Sequence, residues 1–340
     1  MLINASTNST STLSRAEWVD SHAHLNFNAY KEDADEVIRR SLANNVWMIN
    51  VGSQYETSKR AVEIAEKYHE GVYAAIGLHP IHLAEGIFKT KIDAEEIAFE
   101  TREEESKSID SFPPSFSLRE NSVFNHEKYQ ELAQSKKVVA IGEIGLDYYY
   151  RPKTKIKLEQ FKQRQKEVLL KQLELAKELN LPVIFHCRMA HQDLIEVLKS
   201  EIRNPKSEIR GVIHCFTGTW EQAEKYLEMG FYLGFNGIIF KLNLDEIIKK
   251  TPLEKILIET DCPYLTPPLP AEVLTKAGPQ PIRNEPLYVK YVAEKIAQIK
   301  NLRAKRTSFS SSPSFLLRKN SVYEEIAKIT TENARNLFKI

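Results

Sequence analysis

Cysteine is scarce in this chain. Cys187, Cys215 and Cys262 are the only three among 340 residues. An odd, small set at wide spacing excludes a disulfide framework and suits a reducing compartment. Long apolar runs are also missing, since none approaches the ~20 residues that span a bilayer. Excess charge of one sign is absent: the formal net charge is +1. That excludes the global positive field of a basic nucleic-acid sleeve, so any nucleic acid must be gripped at a local site. No G-x-G-x-x-G follows any apolar run, which argues against a dinucleotide-binding sheet. Residues 1–17 are rich in Ser, Thr and Asn and lack the apolar stretch of a secretory signal. They read as a disordered polar tail. These absences lead us to expect a cytoplasmic protein with no membrane contact and no obligate protein partner.

What is present is alternation. Eight short, β-rich runs are separated by longer helical patterns, the signature of βα units. The runs are WVDSHAHL from Trp18, VWMINVGS from Val46, VYAAIGLHP from Val72, VVAIGEIGLDY from Val138, LPVIFHCR from Leu181, GVIHCFTG from Gly211, FYLGFNGIIF from Phe231 and ILIETDCPYL from Ile256. Helical patterns cover Asp33–Ala43, Thr57–Tyr68, Lys155–Leu179 and Glu221–Met229. Near-continuous apolar strands suit a parallel sheet covered on its outer face. Eight such units suggest one closed (β/α)8 barrel over residues 18–340 in preference to an open doubly wound sheet.

Three stretches break the pattern and read as surface insertions, at about 87–126, 200–210 and 302–321. Two of them share a repeat. PSFSLRENSVF at Pro114–Phe124 and PSFLLRKNSVY at Pro313–Tyr323 agree at eight of eleven positions. SEIR recurs within Ser200–Arg210. Repetitive sequence accepted at tolerant loops explains this more simply than a duplicated binding element, because lengthening a surface loop costs little.

The chemistry lies at the strand ends. His22 and His24 form an H-x-H pair on the first run, and alternate strand residues point the same way. Glu143 ends the fourth strand in GEIGLD, His186 ends the fifth in FHC, His214 lies on the sixth in IHCF and Asp261 ends the eighth in ETDCPYL. A lone histidine is usually a satisfied core or surface residue. Four histidines and two carboxylates on five strands, all toward the C-terminal end where barrel enzymes place their sites, indicate a metal site. Imidazole with carboxylate suits Zn, Mn or another transition metal better than Mg or Ca. Each cysteine directly follows one of these residues, so alternation turns Cys187 and Cys215 toward the outer helices. Glu259 precedes Asp261 by two and should also face inward, as an outer partner or a lower-layer residue. Tyr148–Tyr150 and Trp220 admit two readings, stacking on bases or loop packing.

The ordered set of H-x-H, GEIGLDYY, HCR followed by AH, HCFTG, ETDCPYL, RNEP and a terminal TTENARNLF resembles the motif series of TatD-family hydrolases from about Trp18 to Phe338. The resemblance implies a TIM-like barrel and a divalent-metal phosphodiesterase, commonly a deoxyribonuclease of 3′→5′ exonuclease character. It implies two cations (Zn, Mn or Mg), with His22, His24 and Asp261 at one, His186 and His214 at the other, and Glu143 bridging them. It casts Asp261 and Glu143 as catalytic, His79 in GLHP as a substrate contact and Arg283 in RNEP as a phosphate or structural contact. Arg188, directly after His186, reads from its position as a phosphate contact or as the partner of a nearby carboxylate. Two departures, Met189 after HCR and GPQPI before RNEP, touch none of the ligand positions. An amidohydrolase-type or other ester hydrolase remains the alternative, since similar metal sites attack carbonyls.

Overall fold

The computed structural model describes residues 17–84, 86–87, 123–202, 209–271, 282–301 and 314–340. Most of the polar tail and of the three expected insertions lies outside the described residues, as does the stretch 272–281. Eight parallel strands form one sheet in chain order. They are β1 (Trp18–Ala23), β2 (Val46–Val51), β3 (Val72–Ile76), β4 (Val138–Asp147), β5 (Val183–Arg188), β6 (Gly211–Ile213), β7 (Tyr232–Phe235) and β8 (Ile256–Ile258). Helices cover the outside. They include α1 (Ala34–Leu42), α2 (Tyr55–Glu66), α3 (His126–Leu132), α4 (Lys155–Glu178), α5 (His191–Ile202), α6 (Trp220–Glu228), α7 (Asp245–Lys250), α8 (Val289–Asn301) and α9 (Ser314–Phe338). The expected (β/α)8 architecture is therefore present. Residues 314–321 of the 302–321 stretch are helical backbone and form the start of α9.

The strands are apolar on both faces because both are buried. Their alternate residues fall into two layers. Val46, Met48, Val183, Phe185, Ile256 and Ile258 pack outward under the helices. Val19, Ile49, Ala75, Ile184, Val212 and Leu257 fill the interior, and Ala334, Leu337 and Phe338 of α9 pack against this cluster. That helix end plugs the barrel floor, which leaves the other mouth for polar side chains.

The barrel closes where β1 meets the segment after β8. Asp261 N–H donates to His22 O at 2.8 Å, and His24 N–H donates to Cys262 O at 2.9 Å. Ser21 Oγ donates to Ile258 O at 3.1 Å. Buried Asp20 accepts from Thr260 N–H at 2.9 Å and from its hydroxyl at 2.5 Å. This seam, made by backbone bonds and by the Ser21 and Asp20 side chains, brings His22, His24 and Asp261 together.

Of the sheet's three register shifts, one falls between Ala74 and Ala75 where β3 pairs β4, and two lie beside residues of the mouth. One lies between Asp20 and Ala23 in β1, the other between Ile141 and Ile144 in β4. Val19 belongs to the interior layer, so unbroken alternation from it would turn His22 and His24 outward. The irregularity reverses the parity and points both imidazoles inward.

Candidate metal centre

All six residues expected as ligands converge at the C-terminal mouth. The Nε2 atoms of His22 and His24 are 3.0 Å apart. They lie 3.7 and 3.4 Å from the same Asp261 oxygen. Glu143 presents one oxygen to each side of the site. Its Oε2 is 3.5 Å from His22 Nε2. Its Oε1 is 2.7 Å from His186 Nδ1, 3.3 Å from His214 Nε2 and 3.6 Å from His79 Nε2. Donor atoms of His22, His24 and Asp261 form one group that can hold a metal, and those of His79, Glu143 and His186 form another.

The residues fit metal ligation on their own chemistry. His24 Nδ1 is 2.8 Å from the Val51 carbonyl, so Nδ1 carries the proton and Nε2 keeps its lone pair. His214 Nδ1 is 3.0 Å from Glu259 Oε1, the carboxylate–histidine pairing that orients ligating imidazoles. Two ring nitrogens facing each other beside a buried carboxylate are poorly matched without a proton or cation between them.

Charge in this pocket is strongly coupled. Burial pushes the Glu143 carboxyl up, but His79, His214 and His22 and the bond from His186 outweigh it and hold it well below its ordinary value. Burial likewise opposes the Asp261 carboxylate, and His24, His214 and His22 keep it ionised. Burial lowers His214, while Glu259 and Glu143 raise it well above the usual imidazole range.

Several placements differ from the expectation. Glu143 does not end its strand, because β4 runs on to Asp147. Asp147, unassigned from the sequence, reaches His186 Nε2 at 3.1 Å. Its spacing from Glu143 is even, which in an extended strand places both on one face, so the signal was present. His79, expected as a substrate contact, lies within ligand range of Glu143 and His186. His214 stacks on His22 with ring centroids 3.8 Å apart, so it adjoins both groups. Cys215 was expected to face the helices, but its sulfur joins His214 and Asp261 in a further donor group. β6 stops at Ile213 and Cys215 takes a left-handed φ of 45°, so strand alternation no longer governs it. Cys187 follows the expectation and meets the Tyr226 hydroxyl of α6. Burial pushes all three thiols up to about 12, which leaves none as a thiolate nucleophile at neutral pH.

Of the other expected contacts, Arg188 is exposed and lines the mouth. Arg283 is engaged elsewhere: its guanidinium donates to Ala29 O and Asp33 and sits 4.0 Å over the Tyr30 ring. That ties the RNEP segment to the loop after β1. Glu259 proves to be an outer partner, accepting from His214, Cys215 N–H at 2.7 Å and Asn236 at 3.1 Å. Replacing Glu259 with Gln keeps the shape but removes the charge behind His214. Metal affinity should fall ~10–100-fold with little change in melting temperature. Titration calorimetry and a thermal melt read the two effects, and unchanged affinity would reduce Glu259 to a packing role.

A parallel eight-stranded barrel with clustered imidazoles and carboxylates at its C-terminal mouth defines the class of metal-dependent barrel hydrolases. Comparison with known proteins narrows it. A family profile described as TatD related DNase matches residues 19–339. The chain belongs to the TatD family of metal-dependent hydrolases. It is 38% identical over 326 residues to the uncharacterized metal-dependent hydrolase YabD of Bacillus subtilis, covering 94% of this chain and 98% of that protein. It is 30% identical over 284 residues to the 3′-5′ ssDNA/RNA exonuclease TatD of Escherichia fergusonii, covering 82% and 90%. The crystal structure of YjjV, a TatD homolog from Escherichia coli K12, superposes with a TM-score of 0.66 at 26% identity, covering 96% of this chain and 99% of that one. Among the described residues, no helix is long and apolar enough to cross a membrane.

Proposed function

We propose that the protein is a two-metal phosphodiesterase acting on DNA or a related nucleic acid. Glu143 carries this reading: one buried carboxylate offers an oxygen to the His22 side of the site and the other to His186 and His214. That arrangement suits a bridge between two cations. His22, His24 and Asp261 would hold one, and His186 and His214, with His79 in range, the other. Bound cations would supply an activated water at neutral pH and offset the charge of a phosphodiester. Asp261, ionised and at the rim of the cluster, accepts the proton lost by the attacking water. The mouth opens into a cleft of about 1220 Å³, larger than the ~300–1,000 Å³ of most small-ligand pockets. A polymer end suits that space, and the exonuclease name of the Escherichia fergusonii relative supports the same substrate class. Three free cysteines support a cytoplasmic location.

The test is a panel of single-stranded DNA, a small phosphodiester, an amide and a lactone, each with Mg, Mn and Zn. Cleavage of the phosphodiesters is expected. Turnover of the amide or lactone alone would replace this reading with the carbonyl hydrolase.

Proton linkage provides a second check. Burial disfavours the His186 cation, but hydrogen bonds with Asp147 and Glu143 outweigh it and raise its pKa from 6.5 to about 9. The folded value is raised, so protonation stabilises the metal-free fold fully below pH 6.5, and that contribution is lost as pH rises through about 9. Cation binding needs the neutral ring. Metal loading should therefore release protons and tighten as pH rises across this window. Calorimetry in buffers of different ionisation enthalpy measures the release. An affinity independent of pH there would remove His186 from the donor set.

A further inference from the structure

Large exposed apolar side chains are few among the described residues, and four of those seven line the cleft that holds the metal-capable cluster. They are Tyr149, Tyr150, Met189 and Leu242. The three consecutive tyrosines after β4 have different fates. Tyr148 is buried, and its hydroxyl donates to Asp193 at 2.8 Å. Tyr149 and Tyr150 are 50% and 37% exposed. Loop packing therefore accounts for the first tyrosine and not for the next two.

Their position is held by the site itself. Tyr149 N–H donates at 2.8 Å to Asp147, the same carboxylate that meets His186. Tyr148 N–H donates to Arg188 O at 2.9 Å, which pins the exits of β4 and β5 together. The Arg188 guanidinium lies 3.5 Å from the Tyr149 ring centroid, and the Tyr150 ring stands edge-on to Tyr149 at 5.1 Å. The result is an exposed tier of planar groups carrying one positive charge, set against the metal-capable cluster. Planar guanidinium and phenol faces bind unpaired nucleobases by stacking, without regard to base identity. The charge complements the adjoining phosphate.

We propose that Tyr149, Tyr150 and Arg188 form a stacking platform for unpaired nucleobases next to the scissile phosphate. This rests on the phosphodiesterase reading above, and the test separates the two.

The probes are a fluorescent single-stranded oligonucleotide and an abasic strand of equal length, which has the same phosphates and no bases. Affinity is measured by anisotropy in chelator, and cleavage with Mg, Mn and Zn. The wild type should bind the normal strand more tightly than the abasic one by about 5–150-fold. The double variant Tyr149→Ala/Tyr150→Ala should lose most of that preference, and Tyr149→Phe/Tyr150→Phe should keep it. Leu170→Ala, an exposed apolar change on α4 outside the cleft, should alter neither affinity. Equal wild-type affinity for the two strands, or a preference that survives the double alanine change, overturns the platform. Base preference without cleavage of either strand supports the platform and overturns the phosphodiesterase reading.

Discussion

Asp261→Asn should lower turnover of a phosphodiester by ~10²–10⁴-fold, the usual contribution of positioned proton transfer. The amide still offers one oxygen to a cation but cannot take a proton from water. Substrate affinity should suffer less, because the cleft and the His186 side of the site are untouched. A purely structural role predicts otherwise. Asp261 N–H closes the barrel seam onto His22 O, but that bond is made by backbone and survives the substitution. Turnover and melting temperature measured together decide the matter. A variant that melts early yet turns over normally would remove Asp261 from the catalytic residues.

The second large effect concerns Glu143. Glu143→Gln removes the one charge shared by His22, His186, His214 and His79. Loss of an outer-shell partner typically costs ~10–100-fold in metal affinity, and a shared carboxylate should cost more. Protein purified without added metal should carry fewer ions by elemental analysis, and turnover should fall to background. Removing this anion also leaves imidazolium charges uncompensated in the metal-free protein. Its stability in chelator should therefore drop, most clearly below pH 6.5, where the raised pKa of His186 contributes fully. A variant with its full metal complement would show that the bridge is wrongly placed.

Much of the fold was legible because the physics is local. A parallel strand buried on both faces reads as a continuous apolar run, and each of the eight runs contains its strand. Helix bounds fell close for the same reason: Lys155–Leu179 was expected, and α4 covers Lys155–Glu178. The side-chain facing was only partly legible. Period-two alternation turns His22 and His24 the same way, but it does not say which way, since the irregularity after Asp20 decides that. Alternation also failed at Cys215, where the strand had ended. Asp147 is missed when Glu143 is read as the end of β4. The engagement of Arg283 depends on Asp33, 250 positions away, and no local pattern encodes such a partner.

The seam between β1 and the segment after β8 has a consequence for biosynthesis. The half of the chain made first carries His22, His24 and Glu143, and the half made last carries His186, His214 and Asp261. The Asp20–Thr260 bond that ties the two together spans 240 positions. If His22, His24 and Asp261 hold one cation as proposed, a ribosome-bound chain cannot complete that group until Asp261 leaves the exit tunnel. On that assignment, loading of the Asp261 side of the site would be a late event that registers closure of the barrel.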